Sequence, residues 1–280
     1  MQLTYRLVNV FTRNHERLSG NPLCVFEQAD GVSDATMQAL ALQFNLSETT
    51  FVMRSSQGDA RVRIFSPTFE MPFAGHPTLG TAHVVRQLNG LGDAVSLELN
   101  VGVIPVAASG DFWELRANIA TSRVPAAPPA AIAQALGLTA DDLAGVPLWV
   151  NTGSEQLIVP IRTVDAVRRA KVSFETLAAA TADGPRPMAY VFTHTGEDTL
   201  LSRFFFTKGS ATLEDPATGS ATANLGGWML ANKAPLPLAL QISQGEQAGR
   251  PSSLRLRIDR DRQIFVAGEV IELGRGTIEI

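Results

Sequence analysis

His76 sits between Gly75 and Pro77, at the end of a Pro- and Gly-rich loop that runs on from the β-type stretch Arg61 to Phe65. After it the chain turns apolar with helical spacing, from Thr78 to about Leu88. Proline near a first helical turn presets φ, so the helix is expected to start just after Gly-His-Pro. The first N–H groups of a helix have no partners within it and form a ready anion site. An imidazole delivered to such a site can donate a proton or a hydrogen bond to a ligand, or can simply be a loop histidine bonded to backbone.

A second unit of the same kind runs from Leu213 through Asp215-Pro216-Ala217-Thr218-Gly219-Ser220 into a helix of small residues ending near Leu230. Asp215 suits a helix N-cap, and it equally suits a charge set opposite His76. Thr218, Gly219 and Ser220 offer hydroxyl and backbone N–H groups to a carboxylate. Glu48, in Ser47-Glu48-Thr49-Thr50, looks ordinary and would most simply be solvated. A carboxyl facing an apolar pocket instead rises in pKa and can shuttle a proton. Glu70 in the opening loop is a competing carboxylate. Arg250 lies in the hairpin-like stretch Gln244 to Ser252, as part of a turn or as a fork for a carboxylate. A Ser/His/Asp hydrolase built on Ser220, His76 and Asp215 is conceivable, yet no GxSxG elbow accompanies it.

Composition limits the chemistry. The chain has 280 residues, 45% hydrophobic and 18% charged, enough for one large domain or two ordinary ones with a packed core. A net charge of −4 and the lack of any basic run argue against a nucleic-acid partner. The one cysteine, Cys24, excludes an internal disulfide, a multi-thiolate zinc site and any mechanism needing two thiols in one chain. His76 and His83 are seven residues apart, but with His76 placed ahead of the helix no metal is expected. No GxGxxG follows a strand and no GxxxxGK[ST] is present, so a nucleotide cofactor has little support and none is expected. Met1 to Phe11 alternates like a strand rather than a signal peptide, and no apolar run reaches the roughly 18 residues of a membrane span. A soluble cytoplasmic protein with no membrane partner is the expectation.

The elements that must position these groups follow from periodicity. Strands are expected at residues 4–11, 23–26, 49–52 and 61–65, with a helix over 35–44 capped by Ser33-Asp34 and ended by Asn45. Short strands follow between Val95 and Arg116. Three prolines within 121–131 read as a linker. The second half repeats the plan of the first: strands, a loop with acid, Pro and Gly, a helix poor in charge, strands again. Helices so rich in Ala, Gly and Thr are expected to be buried all round within a sheet. Two such halves would meet at a cleft, with both helix starts toward it.

Several motifs in fixed order are similar to those of the phenazine-biosynthesis PhzF-like family: Gly20-Asn21-Pro22, Asn45-Leu46-Ser47-Glu48-Thr49, Phe65-Ser66-Pro67, Glu70-Met71-Pro72-Phe73-Ala74-Gly75-His76-Pro77-Thr78, Asp215-Pro216-Ala217-Thr218-Gly219-Ser220-Ala221, and Gln244-Gly245 with Gly249-Arg250. The resemblance implies an α/β (α+β) chain of diaminopimelate epimerase-like fold. It has two pseudo-symmetric lobes, each a curved mixed β-sheet wrapped around a central helix. With the last strand returning, residues 1–118 plus 268–280 would form the first lobe and 119–267 the second. Epimerases of that fold use one cysteine per lobe, and those places here are Ala74 and Pro216. The resemblance therefore implies an isomerase without cofactor, acting on a small carboxylate such as a dihydro-hydroxyanthranilate-like cyclohexadiene. It casts Glu48 as the acid/base and His76 and Asp215 as polar partners. Ser47, Gly75, Thr218, Gly219 and Ser220 would bind substrate, and a homodimer is a family-level expectation. The rival expectation is a small-metabolite binding protein that retains the cleft.

Overall fold

The computed structural model describes residues 1–280 and divides into two compact units, Met1–Arg116 with Ala267–Ile280, and Ala117–Val266. No helix is long and apolar enough to cross a membrane.

The first unit opens with β1 (Gln2–Thr12), β2 (Asn21–Phe26), α1 (Asp34–Phe44), β3 (Thr49–Met53) and β4 (Ala60–Phe65). It continues with β5 (Glu70–Met71), α2 (Gly75–Asn89), β6 (Ala94–Leu99), β7 (Gly102–Ser109) and β8 (Phe112–Arg116). Helix α1 begins at the Ser33 cap, whose hydroxyl accepts from Thr36 N, and ends at Asn45 in the left-handed conformation. Strand β2 runs antiparallel to β1 but parallel to β3, so the sheet is mixed. Helix α2 packs against β1, β2, β3, β4, β6 and β8 and is buried continuously from His76 to Val85. Gly80 lets it come that close: a Cβ there would lie 2.6 Å from Leu23 and 2.9 Å from Val10. The other side of the sheet packs on α1 through Phe26, Met37, Leu40, Phe51 and Phe65, with Phe26 and Phe51 stacked at 5.0 Å.

The second unit contains β9 (Thr121–Arg123), α3 (Pro129–Ala135), β10 (Leu148–Asn151), β11 (Glu155–Pro160), α4 (Val164–Arg169) and α5 (Phe174–Ala180). It goes on through β12 (Met188–His194), β13 (Thr199–Lys208), β14 (Ala211–Asp215), α6 (Gly219–Ala231), β15 (Leu238–Gln244) and β16 (Ser252–Ile258). Here α6 is the enclosed helix, packed on β9, β10, β11 and β16. Gly226 admits Ile264 and Leu256, and Gly227 admits Val150 and Ala120. Helices α3, α4 and α5 cover the sheet's other face around Trp149, Leu157, Val159 and Phe205.

One expectation changes. Residues 121–131 are not a bare linker: β9 pairs with β10, and α3 starts at Pro129, where the fixed proline φ suits a first turn. The chain's end is one long strand, β17 (Ile264–Glu279). From Glu269 onward it runs antiparallel to β1, from Thr12↔Glu269 to Gln2↔Glu279.

Candidate active site

Strand register gathers the first group. In the parallel pair, Cys24 lies opposite Thr49 and Phe26 opposite Phe51. Pro22, at the start of β2, and Glu48, just before β3, therefore come to the same edge. Helix α2 is pinned across these strands by the Thr50–Thr81 hydroxyl pair at 2.8 Å. His76 lies five residues before Thr81, roughly 7.5 Å back along the helix axis. That places it over the edge where Pro22 and Glu48 meet.

His76 is the second residue of α2 rather than a residue ahead of it, and Pro77 is the third. A proline fits there because its missing N–H belongs to the first turn, where no partner exists within the helix. The His76 Nε2 atom stands 3.4 Å from Glu48 Oε2, with both side chains largely shielded from solvent. Nε2 makes no hydrogen bond, so the bond to the Pro22 carbonyl belongs to Nδ1. A carbonyl only accepts, so Nδ1 carries the hydrogen. Burial pushes the imidazole pKa down to about 3, against the smaller opposing pull of Pro22. The imidazole is therefore neutral near pH 7 and turns a lone pair, not a proton, toward Glu48. His83, two turns on, is turned away from this chemistry: its Nδ1 accepts from Trp113 Nε1 at 3.2 Å and its Nε2 contacts Gln87 at 2.9 Å.

The competing carboxylate is occupied elsewhere. Both oxygens of Glu70 accept from Arg63, at 2.8 and 2.7 Å, and Asn100 donates to one of them at 3.0 Å. The Arg63 guanidinium holds the Glu70 carboxyl below its usual range. Glu70 locks β5 onto β4, where Phe65 pairs with it. Ser47 is exposed, beside Glu48, and Gly75 is the first residue of α2.

The second unit assembles Asp215, Thr218, Gly219 and Ser220. Asp215 is not an N-cap: it ends β14, and Thr218 holds the capping position of α6. Thr218 does not cap either. Its hydroxyl donates to Asp215 Oδ2 at 2.5 Å. Elsewhere Ser33, Thr163 and Ser173 spend the same kind of hydroxyl on a helix N–H. The starts of α2, where Ala74 has no capping group, and of α6, where Thr218 is diverted, are thus both uncapped. The N–H groups of Gly75, Gly219 and Ser220 remain available to an anion.

Ser220 and Asn224 share one face of α6, four residues apart, and both meet Gln156. Gln156 Nε2 donates to Ser220 Oγ at 3.0 Å, so the serine faces an amide that cannot serve as a base. Asn224 also donates to Ser154 O and accepts from Thr152 Oγ1. Arg250 is half-buried in the β15–β16 turn, and burial lowers its pKa.

Sequence reasoning assigned no role to Pro22, Gln156, Asn224 or Gln244. The signal for Asn224 was there: an amide in a helix otherwise free of large polar groups requires a buried partner. Pro22 carries no such signal, because its contribution is a backbone carbonyl.

Known proteins bear on this arrangement. The family described as "Phenazine biosynthesis-like protein" matches residues 8–275. An uncharacterized isomerase of Pasteurella multocida is 37% identical over 278 residues, covering 98% of this chain and 93% of that protein. The trans-2,3-dihydro-3-hydroxyanthranilate isomerase of Pseudomonas aeruginosa is 34% identical over 274 residues, covering 95% and 94%. A crystal structure of a Bacillus anthracis phenazine biosynthesis protein of the PhzF family matches the whole of both chains with a TM-score of 0.87 at 24% identity.

Proposed function

The chain belongs to the phenazine biosynthesis-like, or PhzF, family and is an isomerase; we propose that it works without a cofactor, by moving a proton within a small carboxylate. Its fold is the diaminopimelate epimerase-like one. With Cys24 as the only cysteine, the two-thiol route of racemases is closed to it, and the proton must pass through another group. The substrate class is a cyclohexadiene carboxylate resembling the dihydro-hydroxyanthranilate named for the Pseudomonas aeruginosa relative.

The observation that carries this reading is the Glu48–His76 contact at 3.4 Å, with a neutral imidazole whose other nitrogen is committed to Pro22. Glu48, as carboxylate, removes a proton from a ring carbon next to the diene, and the electron pair enters the π-system. Glu48 is then a carboxylic acid whose O–H the Nε2 lone pair can accept. It returns the proton to another carbon of the same π-system, and the electrons leave the delocalised anion to form that C–H bond. No electron or atom is gained or lost overall. The N–H groups at the start of α2, in the same unit as Glu48, oppose the charge that builds between the two transfers. Within the second unit, Gly219 and Ser220 are assigned to binding a carboxylate, and Asp215 to binding an amino or hydroxyl group of a ligand.

Incubating the protein with trans-2,3-dihydro-3-hydroxyanthranilate in heavy water tests this. An isomerised product carrying deuterium at the newly protonated carbon is the expected outcome. A ligand recovered unchanged and unlabelled from a complex that binds it would leave the protein a binding module.

A further inference from the structure

We infer that Gln244 is a positioning residue, whose carboxamide turns the Thr218 hydroxyl so that its only proton goes to Asp215. The inference rests on the assignment of Asp215 to the substrate site. The supporting geometry lies wholly within the second unit.

Gln244 is the last residue of β15 and is completely buried. Register brings it to Asp215. Asp215 lies opposite Phe204 in the antiparallel pair of β14 and β13, and Ser243 lies opposite Leu201 in the parallel pair of β15 and β13. The next residue, Gly245, has φ +82° and presses on the Pro216 carbonyl, which would lie 2.4 Å from a Cβ there. No other residue type fits that approach without displacing backbone.

The sense of every hydrogen bond in the chain is determined. Gln244 Nε2 lies 2.9 Å from the Asp215 carbonyl oxygen, which can only accept. Gln244 Oε1 lies 3.4 Å from the Thr218 N–H, which can only donate. The amide orientation is thus set from both ends by backbone. The second hydrogen of Nε2 points to Thr218 Oγ1 at 3.0 Å. That hydroxyl, now an acceptor from Gln244, has one proton left, and it lies 2.5 Å from Asp215 Oδ2. Asp215 Oδ2 is therefore an acceptor, and the carboxylate is held in one orientation just ahead of the uncapped start of α6. The same arrangement explains why Thr218 leaves that helix start uncapped. Gln244 acts on the ligand only through Thr218 and Asp215.

The test uses the 280-residue chain and four variants, Thr218→Val, Thr218→Ser, Gln244→Glu and Asp215→Asn, each first shown to be folded by its thermal melt. With a turned-over cyclohexadiene substrate, Thr218→Val and Gln244→Glu are expected to lose about 10- to 100-fold in kcat/KM, the scale of a lost bond to a charged group. Thr218→Ser, which keeps the hydroxyl, should recover most of that loss. Full activity in Thr218→Val, or equal losses in the serine and valine variants, would overturn the inference. A second readout does not need turnover: proton NMR of the wild-type protein should show a downfield, slowly exchanging Thr218 hydroxyl proton that disappears in Asp215→Asn and Gln244→Glu. Its absence from the wild type, or its survival in Gln244→Glu, overturns the relay. A protein that shows this proton yet turns over no carboxylate would instead count against the isomerase reading alone.

Discussion

Glu48 Oε2 and His76 Nε2 face each other at 3.4 Å, and the imidazole brings no proton to the contact, because its hydrogen sits on Nδ1 against the Pro22 carbonyl. Once Glu48 has taken a proton, its O–H has the Nε2 lone pair within reach as an acceptor. A carboxyl that is supported when protonated and released toward a ligand when ionised is suited to taking and returning one proton.

Glu48→Gln copies the protonated carboxyl in shape and can donate to His76 Nε2. The variant should fold as well as the wild type and still bind a cyclohexadiene carboxylate. Its kcat should fall by about 10²- to 10⁴-fold, the usual weight of a general acid/base. Steady-state kinetics alongside calorimetric binding checks both halves, and wild-type turnover would remove Glu48 from the mechanism.

His76 makes a specific demand on pH. Its folded pKa of about 3 is below the ordinary histidine value near 6.5, so between these values the unfolded chain binds a proton that the folded chain does not. Stability from this residue is present above the unfolded pKa and is lost as pH falls, by up to about 1.4 kcal/mol per pH unit. His83, whose pKa burial also lowers, acts in the same sense. Urea melts of wild type and His76→Asn at pH 7, 6 and 5 separate the two: the wild type should weaken more steeply. In kinetics, His76→Ala should cost less than Glu48→Gln, since His76 supports the carboxyl rather than moving the proton.

Glu70 discriminates a structural carboxylate from a chemical one. With both oxygens on Arg63, Glu70→Gln should leave kcat within a few-fold of wild type and cost roughly 1 kcal/mol in denaturant melts. Loss of turnover on the scale of Glu48→Gln would mean the roles of the two loops have been exchanged.

Gly80→Ala sets two effects against each other. Alanine is worth about 1 kcal/mol in helix propensity. Its methyl, however, would meet the side chains of Leu23 at 2.6 Å and Val10 at 2.9 Å, both fully buried. Overpacking of this kind costs about 1–3 kcal/mol, so a net loss of stability is expected. A lower denaturation midpoint with an unchanged slope is the measurement, and a higher midpoint would show that the core around α2 yields.

The sequence by itself determined what depends on local pattern. Alternation and punctuation located most strands, Ser33 and Asn45 bounded α1, and runs of Ala, Gly and Thr marked α2 and α6 as helices enclosed by sheet. The count of one cysteine closed the two-thiol route, and the ordered motifs around Glu48, His76 and Asp215 carried the family. What only the tertiary structure decided is which donor meets which acceptor. Glu70 is taken by Arg63, His76 is neutral and inside its helix, and Thr218 serves Asp215 instead of capping α6. Those outcomes depend on Pro22, Glu48 and His76 in one unit, and on Asp215, Thr218 and Gln244 in the other, meeting through strand register. Register is set by packing between segments far apart in the chain. A backbone carbonyl such as that of Pro22, or a buried amide such as that of Gln244, has no signature in its neighbours along the sequence.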